Sequence, residues 1–241
     1  MKAVLLAGGL GTRCRPLTFS IPKPLLPVGE KAILQIIIEQ LRHVEIRDII
    51  LSVGYHGELI QAFCGDGSKF NVSVTYVRET QPLGTAGPLS LIRDRIAPDE
   101  HFLLMNGDIL TKLDFRAFVD AGRRQNADLM VGYTHHLYRS PFGVLTLQDG
   151  CVKDIAEKPT QEFAISAGIY AVKGGTLAWI PEGEFFTVPD LMRKLNAAGK
   201  IVRAHYIEDC WVGLESAIHF EEACKELSNA PAEREFVGIN R

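Results

Sequence analysis

The chain has 241 residues, enough to bury a core in one large α/β unit without disulfide or metal staples. Its 26 Lys and Arg against 29 Asp and Glu leave a net charge of −3, so no overall field draws it to nucleic acid or to an anionic membrane. Five widely spaced cysteines with no CxxC pair argue against a zinc ribbon or redox dithiol and for reduced thiols in a cytosol.

The first apolar run, "AVLLA" (Ala3–Ala7), is too short to span a bilayer and passes straight into loop chemistry. It reads as a strand of a soluble, cytoplasmic protein. A helix follows over Ala32–Val44, a strand over Asp48–Val53, a short helix over Gly57–Cys64 and a strand over Val72–Val77. Ala86–Ile96 has helical spacing, His101–Asp108 is a buried strand ending in polar residues, and Phe115–Gln125 is helical again. This alternation implies parallel strands with right-handed crossovers and helices on both faces. The second half is richer in strands: Asp128–Tyr133, Gly143–Leu147, Cys151–Glu157 and Ile165–Val172, with hairpin chemistry at Leu147–Gly150. There the sheet turns mixed. A helix over Pro189–Ala198, a strand over Ile201–Tyr206 and a helix over Glu215–Leu227 complete the order, and residues 228–241 form a polar tail. No linker divides residues 1–227, which read as one domain.

The first strand ends in "GGLGTR", at the edge where open α/β sheets bind ligands. Glycines there let backbone N–H groups close on phosphate oxygens. Neither the dinucleotide fingerprint nor the GxxxxGK[ST] phosphate loop is present. Arg13, Arg15 and Lys23 place three cations within eleven residues, and Pro22 and Pro24 stiffen the chain around the lysine. That combination points to a polyphosphate, against the plainer reading of a glycine turn with solvated charges.

The stretch "LAGGLGTRCRPLTFSIPKPLLPV" resembles the signature of the sugar-1-phosphate nucleotidyltransferases, GGxGTRxxPxT followed by PKP. "ETQPLGTAGPL" (Glu79–Leu89), "MNGD" (Met105–Asp108), "FGV" (Phe142–Val144), "AEKP" (Ala156–Pro159) and "SAGIY" (Ser166–Tyr170) follow in family order. The form of "ETQPLGTAGPL" is close to that of mannose-1-phosphate and heptose-1-phosphate guanylyltransferases. The resemblance implies a Rossmann-like three-layer α/β fold with a mixed, mostly parallel sheet, and no left-handed β-helix domain. It implies attack of a sugar 1-phosphate oxygen on the α-phosphorus of a nucleoside triphosphate, with release of pyrophosphate, aligned and charge-neutralised by the protein.

By that resemblance Arg13 binds the leaving phosphates and Lys23 the α-phosphate, while Leu6, Ala7, Gly8, Gly9, Gly11 and Thr12 hold the nucleotide. Glu79, with Pro82, Gly84 and Thr85, faces the base, although the same carboxylate is suited to capping the turn before Pro82. A carboxylate accepts two hydrogen bonds, guanine offers adjacent N1–H and N2–H₂ donors, and the pairing favours GTP over UTP or dTTP. Asp108 is the Mg²⁺ ligand, since magnesium is commonly held by one or two carboxylates with phosphate oxygens and water. Asn106, Gly107, Gly143, Glu157 and Ser166 are the sugar-side residues, and Lys158 binds the sugar's phosphate. A homodimer is a family expectation, and neither nucleic acid nor membrane is a partner.

The chain departs from the family pattern twice. Ser166 stands where asparagine is common, so sugar selectivity does not transfer. Gly213 stands where the late W-x-D-x-G motif carries a second metal-binding aspartate; Asp209 or Glu215 could substitute, or catalysis is weakened and the chain is a nucleotide-sugar sensor.

Overall fold

A computed structural model describes residues 1–208 and 210–214. The helix expected at Glu215–Leu227, the tail, and both Asp209 and Glu215 lie outside the described residues.

Strand β1 (Lys2–Ala7) passes through three short 3-10 turns, Thr12–Cys14, Leu17–Phe19 and Lys23–Leu25, into a small hairpin of β2 (Pro27–Val28) and β3 (Lys31–Ala32). Then come α1 (Ile33–His43), β4 (Asp48–Val53), α2 (Gly57–Cys64), β5 (Ser73–Arg78) and β6 (His101–Asn106). They are followed by β7 (Ile109–Thr111), α3 (Phe115–Arg124), β8 (Leu129–Arg139), β9 (Val144–Gln148), β10 (Cys151–Ala156) and β11 (Thr160–Lys173). The described part closes with α4 (Val188–Ala197), β12 (Val202–Tyr206) and β13 (Trp211–Gly213).

Seven strands form the central sheet in the order β12-β8-β11-β6-β1-β4-β5. All of its pairings are parallel except those of β11, which runs antiparallel to both β6 and β8. No crossover helix separates β8 from β11; the chain turns back through β9 and β10, and a direct return makes the pair antiparallel. The expected mixed, mostly parallel three-layer α/β sheet is therefore present.

Alternate side chains of β1 serve opposite faces. Ala3, Leu5 and Ala7 pack with Ile33, Ile37 and Leu41 of α1 and Phe118 of α3, whereas Val4 packs with Leu191 and Leu195 of α4. Helices cover both faces, which explains why these strands read as continuous apolar runs. Among the described residues no helix is long and apolar enough to cross a membrane.

The segment expected as an α-helix at Ala86–Ile96 is instead a 3-10 helix, Gly87–Arg95. Its start is pinned from outside, because the N–H groups of Ala86 and Gly87 both donate to the Phe186 carbonyl, at 2.9 and 2.8 Å. Pro88 lacks an N–H, and the Ser90 hydroxyl turns back onto the Gly87 carbonyl at 2.7 Å. Strands β8 and β11 run past their expected limits to Arg139 and back from Thr160, through the polar stretches "HHLYR" and "TQEF". Beyond Tyr133 this pair leaves the sheet as an exposed arm capped by the separate β9–β10 hairpin.

Candidate active site

Ala7 is level with Val53 and Leu6 with Asn106, so the turns after β1, β4 and β6 open at one edge of the sheet. They surround a cavity of about 700 Å³. One wall is the glycine loop, with Leu6, Ala7, Gly8, Gly9, Gly11, Thr12 and Arg13, together with Lys23. The Thr18 hydroxyl donates to the Gly11 carbonyl at 2.7 Å, fixing the loop from behind. Arg15 does not join Arg13 and Lys23 in the lining. Buried Cys14 anchors the chain, and Arg15 emerges on the outer side with its guanidinium 5.0 Å from the centre of the Phe19 ring.

The second wall carries Glu79, Pro82, Gly84 and Thr85. The Ser52 hydroxyl donates to Oε1 of Glu79 at 2.7 Å, and the Leu83 N–H donates to Oε2 at 3.2 Å. Glu79 thus caps the turn over Pro82 while also lining the cavity. A Cβ on Gly8 would lie 2.6 Å from Oε1 of Glu79, so only glycine lets loop and carboxylate approach. Gly84 has φ +78°, and a Cβ there would meet the Phe186 carbonyl at 2.7 Å. Thr85 accepts the Val188 N–H at 2.9 Å, tying this wall to the start of α4.

The third wall is Asn106, Gly107 and Asp108, held to β1 by a 2.9 Å bond from the Gly107 N–H to the Leu6 carbonyl. Lys23 is only 9% exposed, and its ammonium is ion-paired and hydrogen-bonded to the Asp108 carboxylate. A charge so far from water needs such a partner. The pair joins the "PKP" and "NGD" segments, 85 residues apart in sequence.

Gly213 lies level with Ile109 in the β7–β13 pair, and the Leu214 N–H donates to the Asp108 carbonyl at 3.0 Å. The residue that replaces the expected second aspartate is therefore a direct neighbour of the first. No three His, Cys, Asp or Glu side chains cluster for a metal among the described residues. The Asp108 side chain is 30% exposed, and as a single hard-oxygen donor lining the same cavity as Arg13 and Lys23 it fits a magnesium ion completed by phosphate oxygens and water. Trp211 packs against the core, its indole N–H donating to the Ala167 carbonyl at 2.9 Å.

Four expected site residues, Gly143, Glu157, Lys158 and Ser166, are not among the side chains that line this cavity, although Gly168, two residues from Ser166, packs directly against Asn106 of the third wall. No residue between 109 and 184 lines it. Ser166 lies at the root of the arm, where its hydroxyl shares a 3.0 Å hydrogen bond with Tyr170 and accepts the Gly168 N–H at 3.3 Å. Burial pushes the Tyr170 phenol above its ordinary pKa, with the Ser166 bond opposing the shift. Gly143, Glu157 and Lys158 lie far out on the arm and are exposed. Gly143 and Glu157 are neighbours there, since a Cβ on Gly143 would come 3.1 Å from Oε2 of Glu157. Conversely, Phe185, in the turn before α4, lines the cavity although no motif in the sequence marked it. Leu10 and Gln81 line it from within the "GGLGTR" and "ETQPLGTAGPL" segments, and Gly54 and Tyr55 from the loop after β4.

A nucleotidyl transferase family model matches residues 2–197. The chain is 38% identical over 175 residues to a Drosophila pseudoobscura pseudoobscura protein, the mannose-1-phosphate guanylyltransferase catalytic subunit beta; the match covers 70% of this chain and 47% of that one. It spans about half the length of the curated relatives it matches. Its fold is that of a Bacillus anthracis protein described as a glucose-1-phosphate thymidylyltransferase in complex with a sucrose, with TM-score 0.76, 24% identity and 98% of each chain covered. HddC from Yersinia pseudotuberculosis, complexed with GMP-PN, matches with TM-score 0.70 and 25% identity over 93% of this chain and 98% of its own.

Proposed function

The chain belongs to the nucleotidyl transferase family, and from that premise we propose that it transfers GMP from GTP to a sugar 1-phosphate of manno configuration, releasing pyrophosphate. The observation that carries this reading is the Lys23–Asp108 pair in a wall of the glycine-loop cavity. The guanylyltransferase named among the relatives and the HddC complex with GMP-PN support GTP as the donor. The sugar rests on the relative's name and on the "ETQPLGTAGPL" loop.

In the proposed reaction an oxygen of the sugar phosphate bonds to the α-phosphorus while the α–β bridging bond breaks. The loop amides and Arg13 hold the triphosphate, and Lys23 leaves Asp108 for the α-phosphate as its charge grows. Asp108 holds Mg²⁺, which when bound supplies charge neutralisation and orientation of the phosphates. Glu79, oriented by Ser52 and Leu83, reads the guanine edge. Glu157 and Lys158 hold the sugar and its phosphate, with Gly143 and Ser166 beside them. Residues 1–227 act as one catalytic domain, working in the cytoplasm.

A second reading, a nucleotide-sugar sensor of weak activity, is favoured by one observation: glycine rather than aspartate beside Asp108 at position 213. Pyrophosphate release over four nucleoside triphosphates and a set of hexose and heptose 1-phosphates with Mg²⁺ separates the two. GTP with a manno-configured sugar phosphate is expected to turn over. Binding of the nucleotide sugar without turnover of any pair would overturn the enzyme reading in favour of the sensor.

A further inference from the structure

Of the described residues after Asp108, only Phe185 lines the cavity. Its ring is 66% exposed, and its Cε2 would lie 3.4 Å from a Cβ placed on Gly84, so it stands against the wall that carries Glu79. The neighbouring Phe186 instead packs against the core cluster that holds Leu191 and Leu195 of α4.

The segment that carries Phe185 is held through its backbone. The Gln81 amide donates to the Gly183 carbonyl at 3.1 Å, the Phe186 N–H donates to the Leu83 carbonyl at 2.9 Å, and the Phe186 carbonyl accepts from both Ala86 and Gly87. A Cβ on Gly87 would meet the Glu184 carbonyl at 2.6 Å, so backbone lies directly on backbone here. None of these ties uses the Phe185 side chain. The fold thus holds a large apolar ring in place at the cavity without needing it for packing, and covering it is left to a ligand.

Position in the sheet decides which part of a ligand the ring meets. Glu79 follows β5, the edge strand at one end, and its N–H donates to the Val53 carbonyl of β4 at 2.9 Å. The glycine loop follows β1 and Asp108 follows β6, and three strand spacings of ~4.8 Å, about 14 Å, separate β5 from β6. Phe185 comes from the other side, leading into α4, which packs against β12 at the far end of the sheet. The turn that begins at Glu79 reaches that side at Thr85, which accepts the Val188 N–H. A base at Glu79 and phosphates at Lys23 and Asp108 therefore put the sugar beside Phe185.

A pyranose carries hydroxyls around its rim and C–H groups on its faces. Charged side chains bind the rim, but an apolar surface is needed to cover a face, and the electron-rich face of a phenyl ring attracts the C–H hydrogens. We infer that the Phe185 ring is the platform on which the sugar ring of the substrate lies, and so a specificity-determining residue. An epimer that turns an axial hydroxyl towards the ring leaves that hydroxyl without a partner and is disfavoured. This role rests on the sugar-1-phosphate reading proposed above and adds a contact outside every motif that supports it.

Equilibrium binding tests the platform without turnover. GDP and GDP-mannose are titrated in parallel with UDP and UDP-glucose, and the ratio of Kd values within each pair measures what the sugar adds. Phe185→Ala, at an exposed position, is expected to shrink that ratio about tenfold for the pair that the wild type binds, the scale of leaving an aromatic face uncovered, with Kd for the diphosphate alone unchanged. Phe185→Tyr keeps the ring and is expected to keep the ratio. In nuclear magnetic resonance spectra the C–H signals of the bound sugar are expected to be shifted upfield by the ring in the wild type and to return in Phe185→Ala. An unchanged ratio in Phe185→Ala overturns the inference, and so does an equal loss for the diphosphate alone, which would assign the ring to the base. A wild type that binds only the UDP pair, with the dependence on Phe185 intact, sinks guanylyl transfer and keeps the platform. A wild type that turns over GTP with a manno-configured sugar phosphate but is indifferent to Phe185→Ala does the reverse, and one that binds neither pair overturns both.

Discussion

The turn after β1 and the turn between β10 and β11 both carry family motifs, yet they are built in opposite ways. The first hangs from a strand buried on both faces, its Gly8 is fitted against Glu79, and its lysine is locked to Asp108. The second sits at the end of an exposed ladder, with apolar side chains in water and a strained lysine before proline. The core thus fixes the first turn closely, whereas the second is held only by its own ladder. The difference teaches that matched motifs guarantee matched chemistry only where the core fixes their mutual positions.

Substitutions sharpen that contrast in descending order of effect. Lys23→Met, which keeps the stem but removes the charge, is expected to lower kcat by about 10²–10³-fold with near-native circular dichroism. Unchanged turnover would remove Lys23 from the chemistry. Lys158→Ala is expected to lower kcat/KM for the sugar phosphate by about 10–100-fold through loss of one charged hydrogen bond, leaving the Kd for nucleotide unchanged. A parallel loss of nucleotide binding would erase the division between the two regions. Glu79→Gln is expected to reduce the preference for GTP over UTP by about tenfold, measured as the ratio of the two kcat/KM values. No change in that ratio would leave Glu79 only its turn-capping role.

The smallest effect concerns the frame behind the cavity. The Thr187 side chain and Asp190 cap α4 reciprocally, and Thr187→Ala is expected to cost about 1 kcal/mol, or ~2–4 °C in Tm. The Thr187 hydroxyl and backbone N–H hold the Asp190 carboxyl below its ordinary pKa. A lowered folded pKa means that this stabilisation is present above the unfolded carboxylate value and is lost as pH falls through the folded one. The gap between the wild-type Tm and that of Thr187→Ala is therefore expected to narrow on acidification, and a constant gap down to low pH would remove the Asp190 carboxylate from the cap.

The parallel half of the sheet was legible because its strands must be apolar on both faces and its helices repeat at 3.6 residues. The same regularity fixed Gly8, Lys23 and Asp108 at one edge, and all three line one cavity. The arm reads as short in the sequence because His135, His136 and the "TQEF" stretch are exposed and so carry no apolar alternation. The 3-10 segment at Gly87–Arg95 was read as α-helix because its start is set by a carbonyl at Phe186, far away in sequence. Arg15 was grouped with Arg13 by proximity, but the buried Cys14 between them turns the two guanidinium groups apart.

The central claim is that the Lys23–Asp108 pair is the resting form of a triphosphate and metal site. A crystal structure with Mg²⁺ and a GTP analogue resistant to cleavage at the α–β bridge tests it most directly. The account predicts the pair opened, with the Lys23 ammonium on an α-phosphate oxygen and the Asp108 carboxylate on the metal. An intact pair, with the nucleotide bound elsewhere or with its phosphates away from the glycine loop, would contradict it.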